Sequence, residues 1–179
     1  MQQSVSRRVF LAAAPGTCAA VTLGGVLVSA QSGTAQTKPK GKNKPRRTDA
    51  KPRLDPTMVQ EFVVAGHGNM DRVQALLKDE PALLNACWDW GGGDWETALG
   101  GAAHTGRRNI ALLLLEKGAR LDVFAAAMLG KLEVVKAAVM AFPEIHKVPG
   151  PHGIPLVAHA KVGGEEAAAV LKFLESLKA

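Results

Sequence analysis

The chain has 179 residues, which is enough for one domain of ordinary size, and a formal net charge of +6. Ten of its 22 Lys and Arg residues precede Leu54, whereas the remainder carries 12 bases and 15 acids. Because the foldable part is slightly acidic, the composition excludes a basic folded surface for nucleic acid.

Residues 1–30 have the order of an export signal. Arg7 and Arg8 precede a weakly apolar stretch rich in Gly and Ala, and Val28-Ser29-Ala30 offers a cleavage site. The hexad Ser6-Arg7-Arg8-Val9-Phe10-Leu11 resembles the twin-arginine export signal, which implies export to the periplasm or beyond. An uncleaved membrane anchor is the alternative, but a proline and several glycines weaken it. Membrane contact is therefore expected only during export.

Residues 31–53 are polar and basic, and from Thr37 onward Lys or Arg alternates with Pro, Gly and Asn. Nothing in this stretch can be buried, so we expect a disordered linker. An alternative role is a tether to anionic lipid or cell-wall polymer, where each base would add about 1 kcal/mol of binding. The folded domain is then residues 54–179.

Four segments of this domain have a glycine between two helical stretches. The glycines are Gly66, Gly106, Gly130 and Gly163, at spacings of 40, 24 and 33 residues. Apolar residues at helical spacing follow each of them. This pattern predicts helix pairs that bury their apolar faces by stacking on their neighbours.

The second of these segments reads Thr97-Ala98-Leu99-Gly100-Gly101-Ala102-Ala103, then Gly106, then Glu116-Lys117-Gly118-Ala119-Arg120-Leu121-Asp122. The third contains Gly130-Lys131-Leu132-Glu133-Val134-Val135-Lys136, and the fourth contains Ile154-Pro155-Leu156. On these residues the stretch 54–179 resembles the ankyrin repeat. The resemblance implies an all-α fold, namely a helix-turn-helix repeat solenoid of about four repeats.

The sequence also departs from the ankyrin pattern. Ala98 and Gly100 replace the proline and histidine of the repeat opening, so the hydrogen bond of that histidine is absent. The hairpin loop that usually joins two ankyrin repeats, called the finger, is missing before Ala126. This absence predicts that Asp122 caps a helix that begins directly after it. Two other fingers are longer than usual, at 85–96 and 143–155.

Small residues are expected at the close contacts of the repeats. Gly106, Gly130 and Gly163 would supply permissive backbone at the turns. A final helix from Glu165 to Lys178 would cap the stack with its apolar face inward. The alanines expected where the inner helices touch are Ala102, Ala103, Ala126, Ala127, Ala158 and Ala160.

All three tryptophans of the chain lie on the first long finger. Tryptophan is enriched at the centres of binding surfaces, and here it is interleaved with acidic residues. We expect His104 on the inner helix beside this finger and His152 at the tip of the last finger. In the alternative interpretation, one or two indole rings fold back and staple the loop. The candidate partner-binding residues are Trp88, Trp90, Asp94, Trp95, His104 and His152.

The sequence indicates neither a catalytic site nor a metal site. No nucleophile, acid–base pair or phosphate-binding loop stands out. His146, His152 and His159 are spaced by six and seven residues, which matches no usual zinc pattern. Cys18 would leave with the signal, so Cys87 has no disulfide partner and is expected to fill a gap under the finger.

These observations predict an exported, monomeric, non-catalytic scaffold without cofactor or metal. By resemblance to ankyrin proteins, it would bind a partner protein through its finger loops and concave helix face. Attachment to an envelope polyanion through the basic linker is one alternative, and an enzyme of unfamiliar type is another. The sequence does not identify the partner.

Overall fold

A computed structural model describes residues 52–177 of the chain. The predicted export signal with Arg7 and Arg8, the predicted linker up to Lys51, and Lys178, where the capping helix was predicted to end, lie outside the described residues. What the sequence indicates for those segments stays a prediction.

The described residues are mostly helical, as expected. They contain eight α-helices, one antiparallel hairpin and four short 3₁₀ segments, and none of these helices is long and apolar enough to cross a bilayer. The helices are α1 (Pro56–Gly66), α2 (Met70–Asp79), α3 (Ala98–His104), α4 (Arg108–Glu116), α5 (Val123–Met128), α6 (Leu132–Ala141), α7 (Leu156–Val162) and α8 (Ala168–Ser176). The strands are β1 (Cys87–Asp89) and β2 (Trp95–Thr97), and the 3₁₀ segments span Pro81–Asn85, Pro143–Lys147, Pro151–Gly153 and Gly164–Ala167.

Consecutive helices pack in pairs, and the first helix of each pair also packs on the next pair. The pairs are α1 with α2, α3 with α4, α5 with α6, and α7 with α8. Contacts of α1 with α3, α3 with α5, and α5 with α7 join the pairs into a continuous row. The hairpin contacts α1 and leads directly into α3, so it stands at the beginning of this row.

Polar side chains determine where two helices of the row begin. Thr97 Oγ1 accepts a hydrogen bond of 3.0 Å from Gly100 N at the start of α3. Asp122 Oδ1 accepts one of 2.7 Å from Ala125 N, and α5 starts at Val123. This hydrogen bond confirms the predicted cap at Asp122. At this point one helix pair leads into the next without a finger.

Two hydrophobic clusters fill the interior of the described domain. The first is formed mainly by α1 to α4, the second mainly by α5 to α8, and α5 contributes alanines to both. Alanine allows neighbouring helices to approach closely at the packing density of a protein interior. Of the six alanines expected at these contacts, Ala158 is partly buried, and Ala102, Ala103, Ala126, Ala127 and Ala160 are buried.

The glycine turns follow the prediction at two of three positions. Gly106 and Gly130 have φ of +68° and +71°, a region that favours glycine. The prediction for Gly163 is wrong, since its φ is −71° and the next residue, Gly164, takes the left-handed conformation. Gly163 has a different role, because a Cβ there would collide with the carbonyl oxygen of Met128.

The last helix begins later than predicted. Residues Gly164–Ala167 form a 3₁₀ segment, and α8 starts only at Ala168. The apolar face is as expected, since Val170 and Leu174 are buried in the second cluster. The chain therefore changes helix type where the 3₁₀ segment packs against α5 and α7.

Candidate metal centre

The first long finger is a regular β-hairpin. Cys87 pairs with Thr97, and Trp88 pairs with Glu96. Its turn is the Gly91-Gly92-Gly93 run, in which every φ is positive. Because cross-strand partners share a face of a hairpin, the register directs Glu96 to the same side as Trp88, towards the domain.

The three tryptophan rings of the hairpin have different environments. Trp88 is partly buried and packs against the first hydrophobic cluster. Trp90 is 38% exposed, and its Nε1 donates a hydrogen bond of 2.8 Å to Glu96 Oε2. Trp95 is 59% exposed. Two rings thus lie against the domain, and the third faces solvent.

Glu96 is a buried carboxylate that is surrounded by histidines. Its exposed fraction is 1%, although it lies on a two-stranded hairpin. His67 follows the last residue of α1, His104 ends α3, and His152 lies in the 3₁₀ segment of the last finger. Three separate parts of the fold therefore bring an imidazole to one carboxylate.

The Nε2 atoms of His67, His104 and His152 lie close to the carboxylate of Glu96, and these four residues form the cluster. The Nε2 atoms of His67 and His152 lie 3.4 and 3.3 Å from Glu96 Oε2, and His104 Nε2 lies 2.9 Å from Oε1. The Nε2 atoms of His67 and His104 are 3.1 Å apart. With one ligand atom from each residue, all four atoms lie within 4.8 Å of one another. The contact of His104 with Oε1 is not aligned as a hydrogen bond, so Oε1 has no hydrogen-bond partner among the described residues.

The Nδ1 atoms of two of these histidines have partners of their own. His67 Nδ1 lies 3.0 Å from the carbonyl oxygen of Val63, to which it donates. His152 Nδ1 lies 2.8 Å from Asp94 Oδ2, and the His152 backbone N–H donates to Asp94 Oδ1 at 2.9 Å. With one proton on Nδ1, the neutral imidazoles of His67 and His152 direct their Nε2 lone pairs into the cluster. His152 Nε2 also lies 3.3 Å from Glu96 Oε2, and a hydrogen bond there requires a proton on Nε2.

The backbone of His152 is held in an unusual conformation. Its φ is +58°, and it is the one non-glycine residue with positive φ in the described part of the chain. This conformation is uncommon outside glycine and persists only where contacts hold it. The two hydrogen bonds to Asp94 supply that restraint and orient the imidazole towards Glu96.

The carboxyl groups of the cluster are held as anions. Burial by itself would raise the pKa of Glu96, but the contact with His104, the charge of His67 and the Trp90 hydrogen bond outweigh it and lower the pKa. The pKa of Asp94 is also lowered, first because Asp94 accepts the backbone N–H of His152. An ionised carboxylate is the form that binds a metal cation.

Two glycines of α3 make room for the cluster. A Cβ on Gly101 would lie 2.7 Å from Cε1 and Nδ1 of the His67 ring. A Cβ on Gly100 would lie 3.3 Å from Glu96 Cγ. Both glycines are buried. The His67 ring and the Glu96 side chain therefore occupy the space that a side chain at position 101 or 100 would fill.

The cluster is open to solvent on one side. The side chains of His67 and His152 are 28% and 32% exposed, whereas those of His104 and Glu96 are 12% and 0% exposed. The cluster is therefore accessible to solvent beside His67 and His152, while the carboxylate lies at the buried end.

The structure brings four of the six candidate residues together. Trp90, Asp94, His104 and His152 all lie around Glu96, and His104 and His152 occupy the expected inner helix and last finger. The other two, Trp88 and Trp95, lie at the hydrophobic core and at the surface.

The sequence pattern assigned no role to His67, indicated Glu96 only as one of the acidic residues between the tryptophans, and predicted no metal ligand at all. The four ligand candidates lie in four different elements, so no short spacing marks them. One signal was present, namely two adjacent glycines inside a helix, where glycine is unfavourable. The sequence interpretation treated Gly100 only as a departure from the repeat opening.

The sequence predicted that Cys87 fills a gap under the finger, and this prediction is wrong. It is exposed, and it borders a groove with Leu54 and Trp88. Desolvation of the thiol, together with the charge of Glu96, raises the pKa of Cys87. The thiol is therefore not activated as a nucleophile or as a metal ligand.

No protein-family model matches the chain, and comparisons with curated proteins and with solved structures likewise give no match.

Proposed function

We propose that this domain binds one divalent transition-metal ion through His67, Glu96, His104 and His152. The observation that carries the proposal is the convergence of three imidazole nitrogens and one buried carboxylate within 4.8 Å. Ligand atoms of a four-coordinate zinc site lie about 2.0–2.2 Å from the metal, so neighbouring ligands are separated by roughly 3.3 Å. The contacts of the three Nε2 atoms with the two Glu96 oxygens, at 2.9–3.4 Å, are close to that spacing, and the limit of 4.8 Å for all four ligand atoms leaves the wider pairs to close when the ion binds.

Hydrogen-bond contacts join His104 Nε2 to His67 Nε2 and His152 Nε2 to Glu96 Oε2, but they do not account for the buried Oε1. Glu96 Oε2 already accepts a hydrogen bond from Trp90, whereas the fully buried Oε1 accepts none from the described residues. Three imidazoles also face this single carboxylate, and three cationic rings would repel one another at such short distances. A metal ion would satisfy the nitrogen lone pairs and Oε1 together.

The ligand types indicate which class of ion is bound. Imidazole nitrogen favours Zn²⁺, Fe²⁺, Co²⁺, Ni²⁺ and Cu²⁺ over the oxygen-seeking Mg²⁺ and Ca²⁺. The Nδ1 contacts with Val63 and Asp94 are the outer contacts that orient metal-binding histidines. Zn²⁺ is the appropriate first probe because it has no redox chemistry and accepts this ligand set.

The scaffold of the site is, in our proposal, a short ankyrin-type repeat domain. In support, the helix pairs follow one another in chain order, and α1, α3, α5 and α7 contact their neighbours in a row. The glycine turns at Gly106 and Gly130 agree with the turns expected from the repeat pattern, and the cap at Asp122 agrees with the expected loss of one finger. The four pairs would then correspond to the four repeats.

Titration of the purified full-length chain with Zn²⁺, in competition with a chromophoric chelator, tests the metal site. We expect one ion per chain. Replacing His104 with Ala removes a ligand at the buried end and should weaken binding by about 100-fold or more. Glu96→Gln keeps the shape of the side chain but removes its charge, and should have a comparable effect.

His146 provides the matched control. It is a histidine outside the cluster, and its Nδ1 bonds to the carbonyl oxygen of Pro143 in the same manner as His67 bonds to Val63. His146→Ala should leave the zinc affinity and stoichiometry unchanged. Failure of the wild-type chain to bind Zn²⁺, or equal losses in the His146 and His104 variants, would refute the proposal.

Partner binding remains a second candidate function, supported by the environment of Trp95. This side chain is 59% exposed and lines, with Trp88, Leu54 and Pro56, a surface groove of about 320 Å³. Exposed tryptophan beside a groove is typical of protein-binding surfaces. Trp95→Ala should abolish capture of a partner protein from the cell envelope without changing zinc affinity. Undiminished capture would remove this candidate.

Export by the twin-arginine route, a periplasmic or secreted location, a monomeric state and the absence of catalysis stay predictions from the sequence. Attachment to an envelope polyanion through residues 38–53 is the alternative to partner binding. Deleting these residues and measuring sedimentation with envelope fractions separates the two.

A further inference from the structure

The two carboxylate oxygens of Glu96 have different surroundings. Oε2 accepts a hydrogen bond of 2.8 Å from Trp90 Nε1, whereas the buried Oε1 accepts none from the described residues. His152 Nε2 lies 3.3 Å from Oε2, and His104 Nε2 lies 2.9 Å from Oε1. One oxygen is therefore held by an indole, and the other is left for a different partner.

The indole differs from the other groups around Oε2. An indole nitrogen is a donor only and does not give up its proton in a protein. The contact of His152 Nε2 with Oε2 requires a proton on that nitrogen, and this proton has to leave when the nitrogen binds an ion. Of the groups described around Oε2, Trp90 is then the one that still donates to it.

Hydrogen bonds of the hairpin turn fix the backbone from which the indole projects. The backbone N–H of Trp90 donates to the carbonyl oxygen of Asp94 at 2.9 Å. Asp89 Oδ1 accepts the N–H groups of Gly91 and Gly93 at 2.9 and 3.2 Å. The turn therefore presents the indole to the carboxylate before any ion is bound.

The indole ring also lies beside the two more exposed histidines of the cluster. Its centroid is 6.4 Å from that of His67 and 5.7 Å from that of His152. The Trp90 residue nevertheless remains 38% exposed, so burial gives only part of the reason for a tryptophan at this position. Its hydrogen bond to Glu96 supplies the other part.

We propose that Trp90 is a positioning residue for the ligand Glu96, whose Oε2 it holds so that Glu96 binds the ion through Oε1 alone. This inference rests on the proposed metal site. One carboxylate oxygen and three imidazole nitrogens make the four ligands that Zn²⁺ prefers. Without the indole donor, Oε2 is free to bind the ion as well, and the coordination number rises.

The first test removes only the donor. Site-specific replacement of Trp90 by 3-benzothienylalanine in the full-length chain keeps both rings and puts sulfur in place of the N–H group. Zinc affinity, measured by chelator competition, should fall by about 10- to 100-fold. Trp90→Phe should lose at least as much. Trp95→Phe is the matched control on the same hairpin, where the ring faces solvent, and should leave the affinity unchanged. Circular dichroism checks that each variant is folded at the temperature of the titration.

The second test reports the coordination number, which a purely structural role of Trp90 would not change. Co²⁺ binds the same ligand types as Zn²⁺, and its visible absorption is more intense with four ligands than with five or six. At saturating Co²⁺ the wild type should give the intense spectrum. The benzothienylalanine variant should give a weaker one.

The outcomes are distinct. If the wild type does not bind Zn²⁺, the proposed function and this inference both fail. If the wild type binds, the inference requires that benzothienylalanine changes both the affinity and the Co²⁺ spectrum, and either change alone overturns it. A loss in Trp90→Phe without a loss in the benzothienylalanine variant also overturns it, because the ring and not its N–H group would then hold Glu96. An equal loss in Trp95→Phe has the same consequence.

Discussion

At the scale of single residues, Gly101 is explained by its neighbour rather than by its own helix. Glycine inside a helix costs about 1 kcal/mol relative to alanine. Gly101 nevertheless lies in α3, because the His67 ring occupies the position where its Cβ would be. The residue is unfavourable for the helix and required by the site.

Replacing Gly101 with Ala should therefore have opposite effects on the helix and on the site. The helical propensity of α3 rises, but the methyl group displaces the His67 ring, and zinc affinity should fall by about tenfold or more. Gly68→Ala is the control, because its Cβ would meet only the flexible Arg107 side chain. An unchanged affinity in Gly101→Ala would show that His67 does not bind the metal.

His159 makes a second prediction at this scale. Burial lowers its pKa below the ordinary value of 6.5, against the hydrogen bond to Pro155, which raises it. The unfolded chain therefore takes up the proton at a higher pH than the folded protein does, so the free energy of unfolding should fall as the pH drops through and below 6.5.

Thermal unfolding of the metal-free chain between pH 8 and pH 5 measures this fall. In His159→Phe the decrease should be smaller, since the group that titrates is gone. Equal pH dependence in wild type and variant would contradict the assignment. Glu96 does not contribute strongly in this range, because its lowered pKa places its own loss of stability at a more acidic pH.

At the scale of elements, α5 depends on its cap and on its neighbours. It has six residues, which is too short to be stable as an isolated helix. Two forces compensate for this shortness. The Asp122 carboxylate satisfies the Ala125 N–H, and Ala125, Ala126 and Ala127 are buried between the two hydrophobic clusters.

Asp122→Ala should therefore reduce the free energy of unfolding by about 1 kcal/mol, the ordinary value of a helix N-cap. Chemical denaturation of the metal-free chain measures the change. Glu116→Ala removes an exposed acid at the end of α4 and should have little effect. Equal stability of the Asp122 variant and the wild type would show that packing alone holds α5 in place.

At the scale of the whole molecule, the proposed site joins distant parts of the chain. His67 and His104 lie at the ends of α1 and α3, Glu96 is on the hairpin, and His152 lies on the last finger. The Asp94–His152 hydrogen bonds already connect the hairpin to that finger. A bound ion would strengthen this connection, because it binds only the folded arrangement.

Zinc should accordingly stabilise the domain as a whole. At a free concentration of 100 times the Kd, the gain is about 2.7 kcal/mol, which raises the unfolding temperature by several degrees. Hydrogen exchange in residues 149–153 should slow in the same samples. His152→Ala should lose both effects, whereas His146→Ala should retain them. Zinc-induced stabilisation that survives His152→Ala would exclude the last finger from the site.

Local features of the fold could be predicted from the amino-acid sequence. The helical content, the cap at Asp122 and the turn glycines Gly106 and Gly130 follow from nearby residues, since caps, turns and amphipathic spacing act over a few positions. The error at Gly163 marks the limit of this reasoning. Glycine is needed at position 163 because a Cβ there would collide with the carbonyl oxygen of Met128 in a neighbouring helix, and not because of the backbone angle of Gly163.

The position of the proposed metal site depends on contacts between distant elements. Its four ligand candidates extend from position 67 to position 152, and no local spacing connects them. The stacking of α1 on α3, the register of the hairpin and the left-handed backbone at His152 bring them together. Ligand convergence depends on distances between elements, and a sequence pattern reports directly only on distances within one element.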